Sequence, residues 1–174
     1  MNCRFLIVLI LALVSSTLPS RAEVPSDEGH LRLYNTHTQQ HLDVIYRRGT
    51  TYLPEALSKL DVFLRDSLTG EVHHFDPHLF DVLFDLTRAT GHADAEINVV
   101  CGYRSPQTNE YLRTHTSGVA KRSLHMQAEA IDIRLPGVKT SNLRDTALAL
   151  GRGGVGYYSS SDFIHVDVGR VRRW

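Results

Sequence analysis

Cysteine is nearly missing from this sequence: two occur in 174 residues, Cys3 and Cys101. Cys3 falls in a segment that reads as removable, so no intrachain disulfide is expected in the mature protein. Neither charge sign is in excess, with 19 Lys+Arg against 19 Asp+Glu. That balance excludes the concentrated basic field of a nucleic-acid or membrane-surface binder. Low-complexity tracts, internal repeats and Pro/Gly-rich linkers are also lacking, which excludes a disordered tail, a repeat array and a second domain. Apolar runs are short, and the longest, Phe5–Val14, has ten residues. A bilayer core needs about 20.

That run belongs to an export signal. Arg4 supplies the positive start, Phe5–Val14 the apolar stretch, and Ser20-Arg21-Ala22 the small residues of a cleavage site. Residues 1–22 are therefore expected to be a signal peptide, and residues 23–174 a single domain that is slightly acidic once Arg4 and Arg21 are gone. With 42% hydrophobic residues the domain has material for its own core. Ten histidines leave metal or acid–base chemistry open.

Alternation at Leu31, Leu33, Leu42, Val44, Tyr46 and Tyr52 predicts a small β-meander. Pro54 opens a helix to about Asp66, and Asp76-Pro77 caps another to about Thr90. The histidines at its start, His73, His74 and His78, are expected to be solvated or capping rather than metal-binding. Ile97–Tyr103 predicts a buried strand in which Cys101 is a small buried hydrophobe. Ser105-Pro106 caps a short helix to about Arg113, and a polar loop follows to Arg122. Ala130–Leu135 is a strand, Ser141–Leu150 a helix, and Val155–Tyr158 with Phe163–Val168 a hairpin. The order predicts an α+β fold with a central antiparallel sheet and helices packed on it. Arg170, Arg172, Arg173 and Trp174 are expected to form a solvated tail.

Polar residues inside apolar strands carry the chemistry. Asp132 lies between Ile131 and Ile133, and His165 between Ile164 and Val166; a buried charge needs a partner or a metal. His125 stands just before the first of these strands. Two imidazoles and a carboxylate suit zinc with a fourth position open, the mark of a catalytic site. A hydrogen-bonded Asp132–His165 pair without metal fits the same spacing, and spacing alone leaves both open. Tyr103, Tyr157 and Tyr158 fit either the lining of a cleft or packing.

His125-x6-Asp132 with His165, and Gly102-Tyr103-Arg104-Ser105 upstream, resembles the zinc peptidases grouped with lysostaphin, the D-Ala-D-Ala metallopeptidases and the hedgehog domain. More closely, the chain resembles the murein endopeptidase MepK family of exported bacterial proteins. The matching stretches include Leu33–Thr38, Phe63–Asp66, Thr69–His73, Ser123–Met126, Ala130–Ile133, Gly154–Tyr158 and His165–Asp167. The resemblance implies a periplasmic, zinc-dependent hydrolase of peptidoglycan cross-links with one zinc ion per chain, held by His125, Asp132 and His165. It implies a hedgehog-like fold and a substrate-binding, catalytic Arg104; beside it, Ser123 and Asn109 fit substrate or ligand-orienting contacts as well as loop and cap roles, and Tyr103 fits a substrate contact if it lines the cleft. For the general base it offers Asp162, three residues before His165, with Asp167 as the rival or as a residue orienting a ligand. A glycine is expected where Ala128 stands, which leaves the build of that turn open. The implied partner is the peptidoglycan stem peptide, with a monomeric enzyme; no feature names an adaptor. A carboxypeptidase trimming terminal D-alanine and a non-catalytic wall-binding module are the alternatives.

Overall fold

In the computed structural model, which describes residues 27–116 and 118–174, strands β1 (Glu28–Asn35), β2 (His41–Arg48) and β3 (Thr51–Tyr52) form the anticipated meander. The export signal lies outside the described residues. Helix α1 (Pro54–Phe63) starts on a proline, whose missing N–H is no loss at a first position. It stops before Asp66 because that carboxylate takes the backbone N–H groups of Leu68, Thr69 and Ser105, which holds the chain in a turn. Helix α2 (Pro77–Ala89) is capped by Asp76, which accepts from the His78 N–H at 2.9 Å.

After β4 (Glu96–Cys101) comes α3 (Pro106–His115), capped by the Ser105 hydroxyl. A single 3-10 turn, Leu124–Gln127, leads into β5 (Ala130–Arg134). Helix α4 (Thr140–Leu150), the hairpin β6 (Gly154–Tyr158) and β7 (Phe163–Asp167), and a short β8 (Arg172–Arg173) complete the chain. Among the described residues no helix is long and apolar enough to cross a membrane.

All eight strands of the described residues join one sheet in the order β3-β2-β1-β4-β5-β7-β6-β8. The α+β class holds, but the sheet is mixed rather than wholly antiparallel. Strand β1 runs parallel to β4 because α1 and α2 form the crossover between them, and a parallel neighbour needs such a connection. Strand β8 runs parallel to β6, so the tail, though Arg170, Arg173 and Trp174 stay exposed as its composition suggests, is tied to the sheet. Leu33, Leu60, Leu79, Leu83, Ile97, Ile131 and Ile164 are fully buried in one core, against which α1, α2 and α4 pack. Because side chains alternate along a strand, Ile131 and Ile133 enter that core while Asp132 faces a cleft.

Candidate active site

Asp132 and His165 are direct partners across β5 and β7, so their side chains leave the sheet on the same face. The 3-10 turn supplies the third group. Ser123 starts it by accepting from the His125 N–H, and Ala128 ends it in the left-handed region at φ 54°. An alanine there costs roughly 1 kcal/mol against glycine. The turn has kept the shape a glycine would favour and taken the strain, and Ala128 is fully buried.

Three donor atoms converge. Asp132 Oδ1 lies 3.2 Å from His125 Nε2 and 2.9 Å from His165 Nδ1, and the two nitrogens are 3.1 Å apart. All three side chains are buried. The outer nitrogens settle which ring atoms carry protons. His125 Nδ1 is 2.8 Å from the Gly102 carbonyl, which only accepts, so that nitrogen donates. His165 Nε2 is 3.1 Å from Asp167 Oδ2. Burial would raise the Asp167 carboxyl, but hydrogen bonds from His165, Arg172 and the Gly154 N–H hold it well below the usual range. Asp167 is therefore ionised, and His165 donates from Nε2. What remains on the inner side is two imidazole lone pairs and a carboxylate oxygen, all facing one point.

Such a set demands positive charge. Burial alone would push the His125 imidazole down, yet the Asp132 carboxylate and then Cys101 lift it, to about 10, so without a cation this inner lone pair takes up a proton. Asp132, which burial would raise, is drawn well below the ordinary carboxylate value by both histidines. A lone proton serves one contact at a time, whereas a divalent cation meets all three donors. Tetrahedral ligation at 2.0–2.1 Å sets donor atoms about 3.3 Å apart, close to the separations found. The donor set fits a metal ion.

The surroundings keep this arrangement in place. A Cβ on Gly102 would lie 2.5 Å from the Leu64 carbonyl oxygen, so only glycine lets this backbone reach His125. Asp167 is locked by Arg172 at 2.7 Å and by the Gly154 and Gly169 N–H groups. Trp174 packs against His165, ring centroids 5.2 Å apart, and donates to the Tyr158 hydroxyl. These contacts of the C-terminal tail had no signature in the sequence beyond an arginine and a tryptophan.

The cleft over the centre has a volume of about 570 Å³. Tyr103, Arg104, Ser123, Tyr158 and Trp174 all line it. Arg104 Nη2 stands 3.8 Å from Asp132 Oδ2, and its buried Nε has no partner among the described residues. Tyr103 stacks on His73 and donates to Glu71. Asn109 bonds the Ala120 carbonyl and receives Arg104 Nη1. Tyr157 lies under Arg144 instead of in the cleft. Neither Asp162 nor Asp167 lines the cleft. Asp162, at φ 53°, accepts from the Thr140 hydroxyl, although its neighbours Ser161 and Phe163 do reach the cleft. His74 and His78, both exposed, pair with the buried Asp61 and the half-buried Asp76, away from the centre.

The family model described as "Peptidoglycan L,D-endopeptidase MepK" matches residues 23–174. The chain belongs to the MepK family. Curated MepK proteins are similar along most of their length. The Haemophilus influenzae protein, named "Probable peptidoglycan L,D-endopeptidase MepK", is 42% identical over 144 residues, 83% of this chain and 77% of that one. The Escherichia coli K12 peptidoglycan L,D-endopeptidase MepK is 40% identical over 144 residues, 83% and 79% of the two chains. The MepK protein of Shigella flexneri aligns to the same extent.

Proposed function

We propose that this protein is a metal-dependent endopeptidase that hydrolyses peptide cross-links of peptidoglycan, of the L,D class for which its MepK relatives are named. One observation carries the reading: the inner nitrogens of His125 and His165 and one oxygen of Asp132 face a common point while their outer partners fix both tautomers. We take the cation to be zinc, one per chain, because two imidazoles and a carboxylate with a further position for water or substrate are a zinc peptidase's ligand set. When bound, it supplies Lewis acidity at this corner of the cleft.

The chain's own groups do the rest. Arg104 offers an unpartnered, buried Nε–H beside the centre and grips the oxygen on which negative charge develops. Asp167 is a positioning residue: it holds His165 through Nε2 and has its own oxygens occupied by Arg172 and two backbone N–H groups. Asp162 accepts the proton of the attacking water once its carboxylate leaves Thr140 for the cleft, whose rim its neighbours Ser161 and Phe163 form. Tyr158, Tyr103 and Ser123 contact the stem peptide along the walls. The leader read in residues 1–22 has the enzyme work in the periplasm, and we take it to act as a monomer.

The test is digestion of purified sacculi followed by mass spectrometry of the muropeptides. Wild-type protein is expected to open cross-links, and His125→Ala to lose at least about 10³-fold in rate together with its bound metal. Undiminished digestion by His125→Ala would overturn the reading. Release of terminal D-alanine with cross-links intact would replace it with a carboxypeptidase.

A further inference from the structure

Strand period places Cys101 with Ile97 and Val99, facing the core. The structure does not. A bulge between Val99 and Cys101 shifts the register, so Val99 pairs with Ile133 but Cys101 pairs with Asp132. The surplus residue, Val100, turns the next side chain to the other face. Cys101 thereby leaves the core and lines the cleft. Its sulfur, a nitrogen of His125 and an oxygen of Asp132 all lie within 4.8 Å of one another. Arg104 Nη2 points at the same sulfur from 3.4 Å, a donor suited to a thiolate. Two donor triples thus share the His125–Asp132 edge, one completed by His165 and the other by Cys101.

We propose that Cys101 is a fourth protein ligand of this centre, closing it around the divalent cation between turnovers. The inference rests on the metal reading above. Tetrahedral zinc with one sulfur sets S···N separations near about 3.5 Å. The sulfur, a His125 nitrogen and an Asp132 oxygen already lie within 4.8 Å of one another, so the fourth bond asks for a rotation of the Cys101 side chain toward the point that His165 also faces. Held there, the sulfur would be a thiolate, its proton passed to solvent. Four protein ligands would make a closed site, so water or substrate would have to displace the sulfur or enter as a fifth donor. A soft donor also tilts the centre toward thiophilic ions.

The experiment uses the full-length protein loaded with cobalt(II), read by absorption. Wild-type and Cys3→Ser protein are expected to show visible bands of a four-coordinate ion and a near-ultraviolet sulfur-to-cobalt charge-transfer band. Cys101→Ser should keep the visible bands, which also report a folded centre, and lose the sulfur band. In chelator competition its cadmium affinity should fall at least about tenfold, and its zinc affinity by less. Visible bands without a sulfur band in the wild type overturn the proposal and spare the metal centre. If the wild type binds no cobalt, both fall. Because the wild-type spectrum decides, a variant that fails to fold leaves the answer intact.

Discussion

Two little-exposed carboxylates, one on helix α2 and one on strand β5, are treated in opposite ways. Asp81, on α2, is met wholly by the protein's own donors. One oxygen receives the Tyr46 hydroxyl at 2.7 Å and Arg47 Nε at 3.1 Å, and the other receives the Tyr52 hydroxyl. Burial and then Asp81 push the Tyr52 hydroxyl up to about 12, and Tyr46 further still, so both stay protonated donors at any ordinary pH. Asp132 instead faces two imidazoles whose protons are committed elsewhere. The first cluster is complete and fastens β2 and β3 to α2. The second is complete only with an added cation. A buried acid supports the fold where its partners are permanent donors, and supports chemistry where they are lone pairs.

The widest test of that contrast is to remove each acid. Asp132→Asn should cut sacculus digestion by at least about 10³-fold, with a smaller loss of thermal stability than the same test finds at Asp81. Asp81→Ala should do the reverse, costing about 3 kcal/mol in denaturant melts, because Arg47 and two hydroxyls lose their acceptor, with activity per folded molecule preserved. Equal stability losses would erase the distinction.

Asp167→Asn should act on the open cluster at one remove. Metal affinity, measured against a chelator, is expected to fall about 10- to 100-fold as His165 loses its tautomer lock. Asp66 is a third, self-sufficient acid and sharpens the comparison through pH. Burial would raise its carboxyl, but hydrogen bonds from Thr108 and Ser105 bring it down to about 2 from an ordinary 3.8. A depressed folded value means that its contribution is full above about pH 4 and vanishes as pH falls through about 2. It should amount to about 2 kcal/mol, and Asp66→Asn should lack that part of the acid limb. The smallest effect is Ala128→Gly. Relief of the left-handed strain, about 1 kcal/mol, is offset by loss of a buried methyl worth about 0.8 kcal/mol, so the melting temperature should barely move.

Much of this was legible beforehand because the signals were local. Pro54, Asp76-Pro77 and Ser105-Pro106 start helices by capping chemistry that acts within one turn. Asp132 and His165 stood out because a charge between two isoleucines, or a histidine between isoleucine and valine, has no cheap structural excuse. What stayed hidden depends on contacts far along the chain. A carbonyl such as that of Gly102 carries no sequence label, yet it fixes the His125 tautomer. The parallel pairing of β1 with β4 rests on how a two-helix crossover returns. Arg172 looked like surface charge until its acceptor, Asp167, proved fully buried. Asp162 is well spaced for a base, but spacing does not show that its carboxylate rests on Thr140 and must move to serve as one.

The irregularity in β4 has one more implication. Parity arguments treat a strand as a rigid comb, and a single inserted tooth reverses every assignment beyond it while the flanking pairs stay matched. Removing Val100 would therefore do more than shorten a strand: it would swing Cys101 back among the leucines and drag the Gly102 carbonyl off His125. For anyone re-engineering this cleft, strand length is a control distinct from residue identity, and one deletion would alter the active site from both sides.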